Sequence, residues 1–232
     1  MHMENQSTFK ELLVCNLGLI DYKSAWDIQL EYHEKRRNNL VPDILFLCEH
    51  PNTYTLGKVA QKENLLYNEK DLKEKNIDVY EIDRGGDITY HGPGQVVGYA
   101  ILNLENWKKD THLYLRSLEE VIIKTNLNYG INSGRNEKFT GVWIENRKIC
   151  AIGIKVSRWI TMHGFAYNVN TQLNLFEGII PCGISDKEVT SLQKELKTKI
   201  DIEEVKMKVI NNFKMIFEYS NITLKSIDEL QN

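Results

Sequence analysis

The sequence predicts a single α/β (α+β) domain over residues 1–232, built on a mixed, largely antiparallel β-sheet flanked by helices. Two observations predict it. Strand-length runs follow one another as hairpins more often than they alternate with helices, and strict alternation is what an all-parallel sheet would need. No internal repeat, low-complexity tract or shift in composition marks a linker. The core is expected over about 12–196, with a C-terminal helical segment over about 197–232.

In chain order, Leu12 to Asn16 reads as a short strand. Asp21 to Arg37 reads as a helix, with Tyr22, Ala25, Trp26, Ile28, Leu30 and Tyr32 on a broad apolar face and Asp21 as N-cap. Asp43-Ile-Leu-Phe-Leu-Cys48 is a continuous apolar run of strand length, expected to be buried on both faces. Glu49 to Gly57 is expected to leave it as a loop. Asn68 to Asn76 is a short charged helix, and Ile77 to Asp83 alternates as a half-buried strand. A glycine-rich stretch follows, then a buried strand over Val96 to Leu104 and an amphipathic helix over His112 to Leu127. Gly141 to Glu145, a turn at Asn146-Arg147, Lys148 to Val156 and Thr161 to Asn170 continue the strand pattern. Ser185-Asp-Lys-Glu188 has the capping-box form and is expected to open a helix running to about Leu196. A last helix is expected over about Ile202 to Glu218, as packing.

Composition sets the class. The chain is 42% hydrophobic and 26% charged, ordinary for a soluble globular protein. Its formal charge of −3, from 29 basic and 32 acidic residues, gives no global attraction to nucleic acid, so an acidic partner must meet a local basic patch. No apolar run approaches the ~20 residues of a membrane span. Leu12-Leu13-Val14 is too short, and too poorly flanked, for a secretory signal. Met3 is the expected natural start. Cys15, Cys48, Cys150 and Cys182 are widely spaced with no C-x-x-C pair, which points to free thiols and a cytoplasmic location.

Four stretches hold the candidate chemistry. Arg84-Gly-Gly-Asp-Ile-Thr-Tyr-His-Gly-Pro-Gly-Gln95 gathers four glycines and a proline around Arg84, Tyr90, His91 and Gln95. Gly85-Gly86 lets a ligand lie against bare backbone, although a decorated hairpin has the same look. It is neither G-x-G-x-x-G nor a P-loop, so a nucleotide phosphate is not its obvious guest. Cys182, in Ile179-Ile-Pro-Cys-Gly-Ile-Ser-Asp186, is either a thiol activated near a helix start or a small buried hydrophobe. Lys148 follows a tight turn, where a lysine is ordinarily just solvated. Ala151 and Gly153, on one face beyond it, leave room for a ligand, and two-residue periodicity places Cys150 on the face of Lys148. His163-Gly-Phe-Ala166 repeats the pairing of a polar residue with small neighbours. His91 and His163 could shuttle a proton or bind metal, but no third ligand stands at metal spacing and no metal is expected. There is no Gly-x-Ser-x-Gly elbow.

Arg84 to Gln95, Arg147-Lys-Ile-Cys-Ala-Ile-Gly153, His163-Gly-Phe-Ala-Tyr-Asn168 and Pro181-Cys-Gly-Ile184, in this order, resemble the octanoyltransferases of lipoate biosynthesis (lipoyl(octanoyl) transferases). The resemblance covers about Leu12 to Leu196. It implies the fold of the biotin and lipoate protein ligases. It also implies transfer of an octanoyl or lipoyl group from acyl carrier protein to a lysine of a lipoyl domain, in 2-oxoacid dehydrogenase complexes or the glycine cleavage H protein. By resemblance, Cys182 is the acyl-thioester nucleophile and Lys148 its partner, with Lys155, beyond the small-residue window, the less suited lysine. The substrate-binding segments map onto Arg84, Gly85, Gly86, Asp87, Ile88, Thr89, Tyr90 and His91, onto Ala151, Ile152 and Gly153, and onto Gly164, Phe165 and Ala166. No cofactor is implied, because a thioester carries its own activation. The rivals are an ATP-dependent lipoate-protein ligase on the same fold, which needs no nucleophilic thiol, and a non-catalytic acyl or carrier-domain binder.

Overall fold

The computed structural model describes residues 10–180 and 188–231. Strand β1 (Glu11–Leu19) leads into helix α1 (Tyr22–Arg37), whose N-cap Asp21 accepts from the Ser24 amide as expected. Then come β2 (Asp43–Glu49), β3 (Thr53–Leu56), α2 (Glu69–Glu74), β4 (Asp78–Glu81), β5 (Ile88–His91), β6 (Gln95–Ile101) and α3 (Thr111–Leu127). The rest comprises β7 (Gly134–Arg135), β8 (Val142–Ile144), β9 (Arg147–Ser157), β10 (Ile160–Asn168), β11 (Glu188–Val189), α4 (Leu192–Leu196), α5 (Ile202–Ile216), β12 (Asn221–Lys225) and α6 (Ile227–Gln231).

The main sheet runs β12-β1-β2-β6-β10-β9-β8-β7, with β11 also on β9, and a small sheet runs β4-β3-β5. Among the described residues, five strand pairings of the main sheet are antiparallel and three parallel, so it is mixed and largely antiparallel as predicted. β2 is buried on both faces because helices cover both: alternate residues divide between two cores. Leu45 and Leu47 join α3 and α5, including Leu118, Val121, Val209 and Phe213. Ile44, Phe46 and Cys48 join α1 through Ala25 and Tyr32. The small sheet meets the start of α1, where Tyr22 stacks on Tyr80 and His91, and has its own core of Tyr54, Leu56, Ile88 and Tyr90.

Three sequence expectations change. Residues 49–57 are not all loop: Thr53-Tyr-Thr-Leu56 is β3, the central strand of the small sheet, and its four residues are all buried. The helix expected from Ser185 starts later. Glu188 is in β11, parallel to Arg147, and the N-cap of α4 is Ser191, whose hydroxyl accepts from the Lys194 amide. Ser185 itself lies outside the described residues. Finally, the C-terminal segment is not wholly helical, since β12 pairs with β1 in parallel from Asn221 to Lys225.

Candidate active site

A cavity of about 340 Å³ lies between the α1-side face of β9, β10 and β6 and the glycine loop leading into β5. That volume falls within the ~300–1,000 Å³ usual for small-molecule sites. Its floor is ordered in rows by strand register. Ala151 pairs with Ala166, which pairs with Val97, and Gly153 pairs with Gly164, which pairs with Tyr99. Ala151 and Ala166 thus keep the floor low.

Lys148 joins this floor through a bulge. Val142 faces Cys150 while the next residue, Trp143, faces Lys148, so β9 holds one more residue here than β8. The bulge shifts the side-chain phase. Ile149 and Cys150 both enter the α3–α5 core, whereas Lys148 borders the cavity with Ala151 and Gly153. Cys150 therefore does not share the face of Lys148, contrary to simple alternation. Cys15, Cys48 and Cys150 are free, buried thiols, and burial pushes the Cys150 thiol far above its usual range. The Lys148 ammonium lies 4.7 Å from the centre of the Trp143 ring. Gly141, where β8 begins, has φ +121°, and a Cβ there would stand 2.5 Å from the Cys150 carbonyl. Its amide donates to the buried Glu119 carboxylate (3.0 Å), which Arg116 and Arg135 also hold. This support for the Lys148 corner comes from α3 and carries no local sequence signal.

The glycine loop is tied down from both sides. The Gly85 amide donates to the Ile154 carbonyl (2.9 Å), and a Cβ on Gly153 would come within 2.7 Å of the Gly85 carbonyl oxygen. The space left by Gly153 is therefore occupied by the loop itself. Gly164 is similar: a Cβ there would meet the Gly98 carbonyl oxygen at 2.2 Å, so its smallness serves the approach of β10 to β6. Gly57, from the end of β3, admits Gly86 in the same way. The Arg84 guanidinium is buried and donates to the Thr55 carbonyl (2.7 Å) and hydroxyl (3.0 Å). Asp87 accepts from the Asn64 side-chain amide (2.7 Å). Just outside the loop, Asp83 accepts from His163 Nε2 (2.9 Å) and from Lys155, and these two bonds hold its carboxyl well below the usual range. Lys155 is thus engaged with Asp83 and does not border the cavity.

Of the segments expected to bind substrate, Arg84 to Thr89, His91, Ala151 to Gly153 and Gly164 to Ala166 all border the cavity. The Ile152 and Phe165 side chains pack into the α3–α5 core. Tyr90 turns the other way: its ring belongs to the small-sheet core and its hydroxyl donates to Asn52 (2.9 Å). Gly164 to Ala166 lie in a strand paired on both edges, so their amides serve the ladders. Cys182 lies outside the described residues. The chain on either side of 181–187 is fixed beside the cavity. The Ile180 amide donates to Asn64 (2.8 Å), and on the far side Val189 pairs with Lys148 while the Thr190 amide donates to the Lys148 carbonyl (2.9 Å).

Sequence reasoning missed Tyr22, His50 and Tyr99. His50 Nδ1 donates to the Ile20 carbonyl (2.7 Å), leaving Nε2 to accept from the Tyr99 hydroxyl (2.7 Å). Burial lowers His50 to about 4. His91 Nδ1 donates to Gln95 (2.9 Å), Gln95 donates to Asn168 (2.9 Å), and Asn168 donates to the Thr190 carbonyl (3.0 Å). Burial, then the neighbouring His50 and Arg84, push His91 well below the usual imidazole range. Both imidazoles are therefore neutral at pH 7 and orient their neighbours by hydrogen bonding. His50 follows a buried strand and carries no motif, which is why the sequence alone does not mark it. Among the described residues no cluster of His, Cys, Asp and Glu could hold a metal ion, and no helix is long and apolar enough to cross a membrane.

The fold that carries this cavity is shared with solved lipoate protein ligases. A lipoate-protein ligase A bound with ATP superposes with a TM-score of 0.74, covering 95% of this chain and 91% of that one at 14% identity. A putative lipoate protein ligase from T. acidophilum with bound lipoic acid gives 0.72, with 94% and 90% covered, also at 14% identity. At that identity the likeness is one of fold. The chain belongs to the lipoyl protein ligase A/B catalytic domain family, whose model matches residues 21–214. Octanoyltransferases are among its relatives. That of Christiangramia forsetii is 50% identical over 226 residues, 90% of this chain and 97% of that protein. That of Thermoanaerobacter sp. is 46% identical over 222 residues, 94% and 96% of the two chains.

Proposed function

We propose that this protein is an octanoyltransferase of protein lipoylation, moving an octanoyl or lipoyl group from acyl carrier protein to a lysine of a lipoyl domain. The acceptors are the lipoyl domains of 2-oxoacid dehydrogenase complexes or the glycine cleavage H protein, and the reaction takes place in the cytoplasm. About 50% identity to octanoyltransferases over nearly their whole length supports the activity. The observation that supports the mechanism is the β9 bulge, which turns Lys148 onto the cavity beside β11, a strand that begins six residues after Cys182 in the sequence.

In the proposed reaction the Cys182 thiolate attacks the carbonyl carbon of the carrier thioester. The carrier's sulfur leaves and takes a proton from the Lys148 ammonium, and an S-acyl cysteine remains. The acceptor amine then attacks this second thioester, Lys148 takes up the amine's proton, and the Cys182 thiolate departs. Thioester exchange is nearly isoenergetic and amide formation is downhill, so ATP has no part. The covalent stage lets one carrier leave before the other docks. An ammonium near the thiol favours its ionised form. Arg84 to Thr89, with His91, roof the acyl chain; Ala151, Ile152 and Gly153, with Gly164, Phe165 and Ala166, form its floor. Tyr90 acts on the roof from behind, through the small-sheet core.

The test is direct. Octanoyl-acyl carrier protein and an apo lipoyl domain, mixed with this protein and no ATP, should yield octanoylated lipoyl domain. Product that forms only from free octanoate and ATP identifies a ligase instead. No product under either condition leaves a non-catalytic binder.

A further inference from the structure

Among the described residues, the cavity is bordered by exposed side chains at one end, the open end, and by buried ones at the other, the closed end. Beside Lys148 it is bordered by the exposed Lys138 and Thr140. At the Gly153–Gly164–Tyr99 row the bordering side chains, Arg84, Tyr99 and His163, are buried. The Gly85 carbonyl closes directly over Gly153, and outside it Asp83 holds both Lys155 and His163. An acyl group whose carbonyl sits near Lys148 therefore enters at the open end and points its methyl terminus at Tyr99. The length suffices. From Lys148 to Gly153 is five residues, one taken up by the bulge, so about four strand steps of ~3.3 Å give ~13 Å. An extended chain advances ~1.2 Å per single bond, as extended backbone does, so the seven C–C bonds of an octanoyl group span ~8 Å and fit within it.

The closed end is also stiff. The Tyr99 hydroxyl donates to His50, whose other ring nitrogen donates to the Ile20 carbonyl (both 2.7 Å). The Tyr22 ring packs on His50 and His91, with centroids 5.2 and 5.6 Å apart. Satisfied hydrogen bonds turn these polar groups inward and leave Tyr99 locked among packed rings. A wall that cannot give discriminates against an added methylene, by about 10–200-fold per methylene in a well-packed pocket.

We infer that Tyr99, fixed by His50, is the specificity-determining residue for acyl-chain length, acting as the stop for the methyl terminus. The inference rests on the octanoyltransferase reading and deepens it. The experiment measures kcat/KM for hexanoyl-, octanoyl-, decanoyl- and dodecanoyl-acyl carrier protein with a fixed apo lipoyl domain, on wild type, Tyr99→Leu and Tyr99→Phe. Binding of the free acids of the same lengths is measured calorimetrically on the same proteins. Tyr99→Leu removes the outer part of the ring and should raise the decanoyl-to-octanoyl ratio about tenfold or more. Tyr99→Phe keeps the ring but frees it from His50, so it should raise the ratio by a smaller factor, and it serves alone if Tyr99→Leu does not fold. An unchanged length ranking in a folded variant, in turnover and in acid binding, overturns the stop while leaving the transferase reading intact. A wild type that transfers no acyl group from any carrier overturns both.

Discussion

The seat of the glycine loop can be tested by adding one carbon atom. In Gly153→Ala the new Cβ would stand 2.7 Å from the Gly85 carbonyl oxygen and 3.0 Å from Arg84 Cδ. The first neighbour is backbone and cannot swing aside, so the loop must lift from β9 and stretch or break the bond from the Gly85 amide to Ile154. Overpacking of this kind costs about 1–3 kcal/mol, and loss of a backbone hydrogen bond about 0.5–1.5 kcal/mol. The sum is roughly 2–4 kcal/mol. For a chain of this size that lowers Tm by roughly 5–15 °C, at about 2–4 °C per kcal/mol. Gly134→Ala is the control: a Cβ there meets nothing within 4 Å, and its Tm should stay within about 2 °C of wild type. Thermal unfolding by circular dichroism, with octanoyl-transfer kinetics on the same samples, reads both effects. Gly153→Ala should also raise KM for the acyl donor, because the loop it displaces is the cavity roof. A Gly153→Ala protein that melts and turns over like wild type would refute the contact between loop and strand.

Three further outcomes follow from the site. Lys148→Ala should shift the pH midpoint of Cys182 alkylation upward, towards the ~8.5 of a free thiol, whereas Lys148→Arg should keep much of the depression yet stall at transfer to the lipoyl-domain amine, since a guanidinium does not give up its proton; unchanged alkylation and turnover in Lys148→Ala would reduce Lys148 to a solvated lysine. Because the folded His50 titrates at about 4 and an unfolded imidazole near 6.5, unfolded chains bind the proton first: stability is complete above about pH 6.5 and falls as pH drops towards 4, by up to about 1.4 kcal/mol per unit for this residue, with His91 adding in the same direction. Denaturant unfolding at pH 7, 6 and 5 checks this, and a flat profile contradicts it. Lys138→Glu, at the open end, should raise KM for an acidic acyl carrier at low salt, with the difference fading as the Debye length shrinks from ~10 to ~3 Å; a difference that persists at high salt counts against charge-guided docking.

Much of this architecture is written locally. Asp21 caps α1, Asn68 with Asp71 caps α2, and the apolar run of β2 is buried on both faces, each the result of short-range pattern. The glycine loop was legible for the same reason, because its residue types serve few other purposes. What escaped depends on distant partners. Thr53-Tyr-Thr-Leu56 is too short to announce a strand and becomes one only because β4 and β5 pair with it. Ser185 and Ser191 both carry cap chemistry, and pairing of Glu188 with Arg147 decides for the later one. The bulge that brings Lys148 to the cavity is a mismatch between β8 and β9, so two-residue alternation assigned Cys150 to the wrong face. Of Arg147, Lys155 and Arg158, the basic residues near the site that sequence alone offers as a docking rim, Arg147 and Lys155 are committed to Glu195 and Asp83, and Arg158 is exposed. Residues chosen for smallness, Gly153 and Gly164, border the cavity, yet backbone fills the space each leaves.

The central claim is covalent transfer through Cys182, and intact-protein mass spectrometry tests it most directly. Incubation with octanoyl-acyl carrier protein alone, without ATP or acceptor, should add one octanoyl group, released by hydroxylamine, mapped to Cys182 by peptide sequencing and retained in Cys150→Ala. Absence of any adduct on protein that completes full turnover, or loss of the adduct in Cys150→Ala, would contradict it.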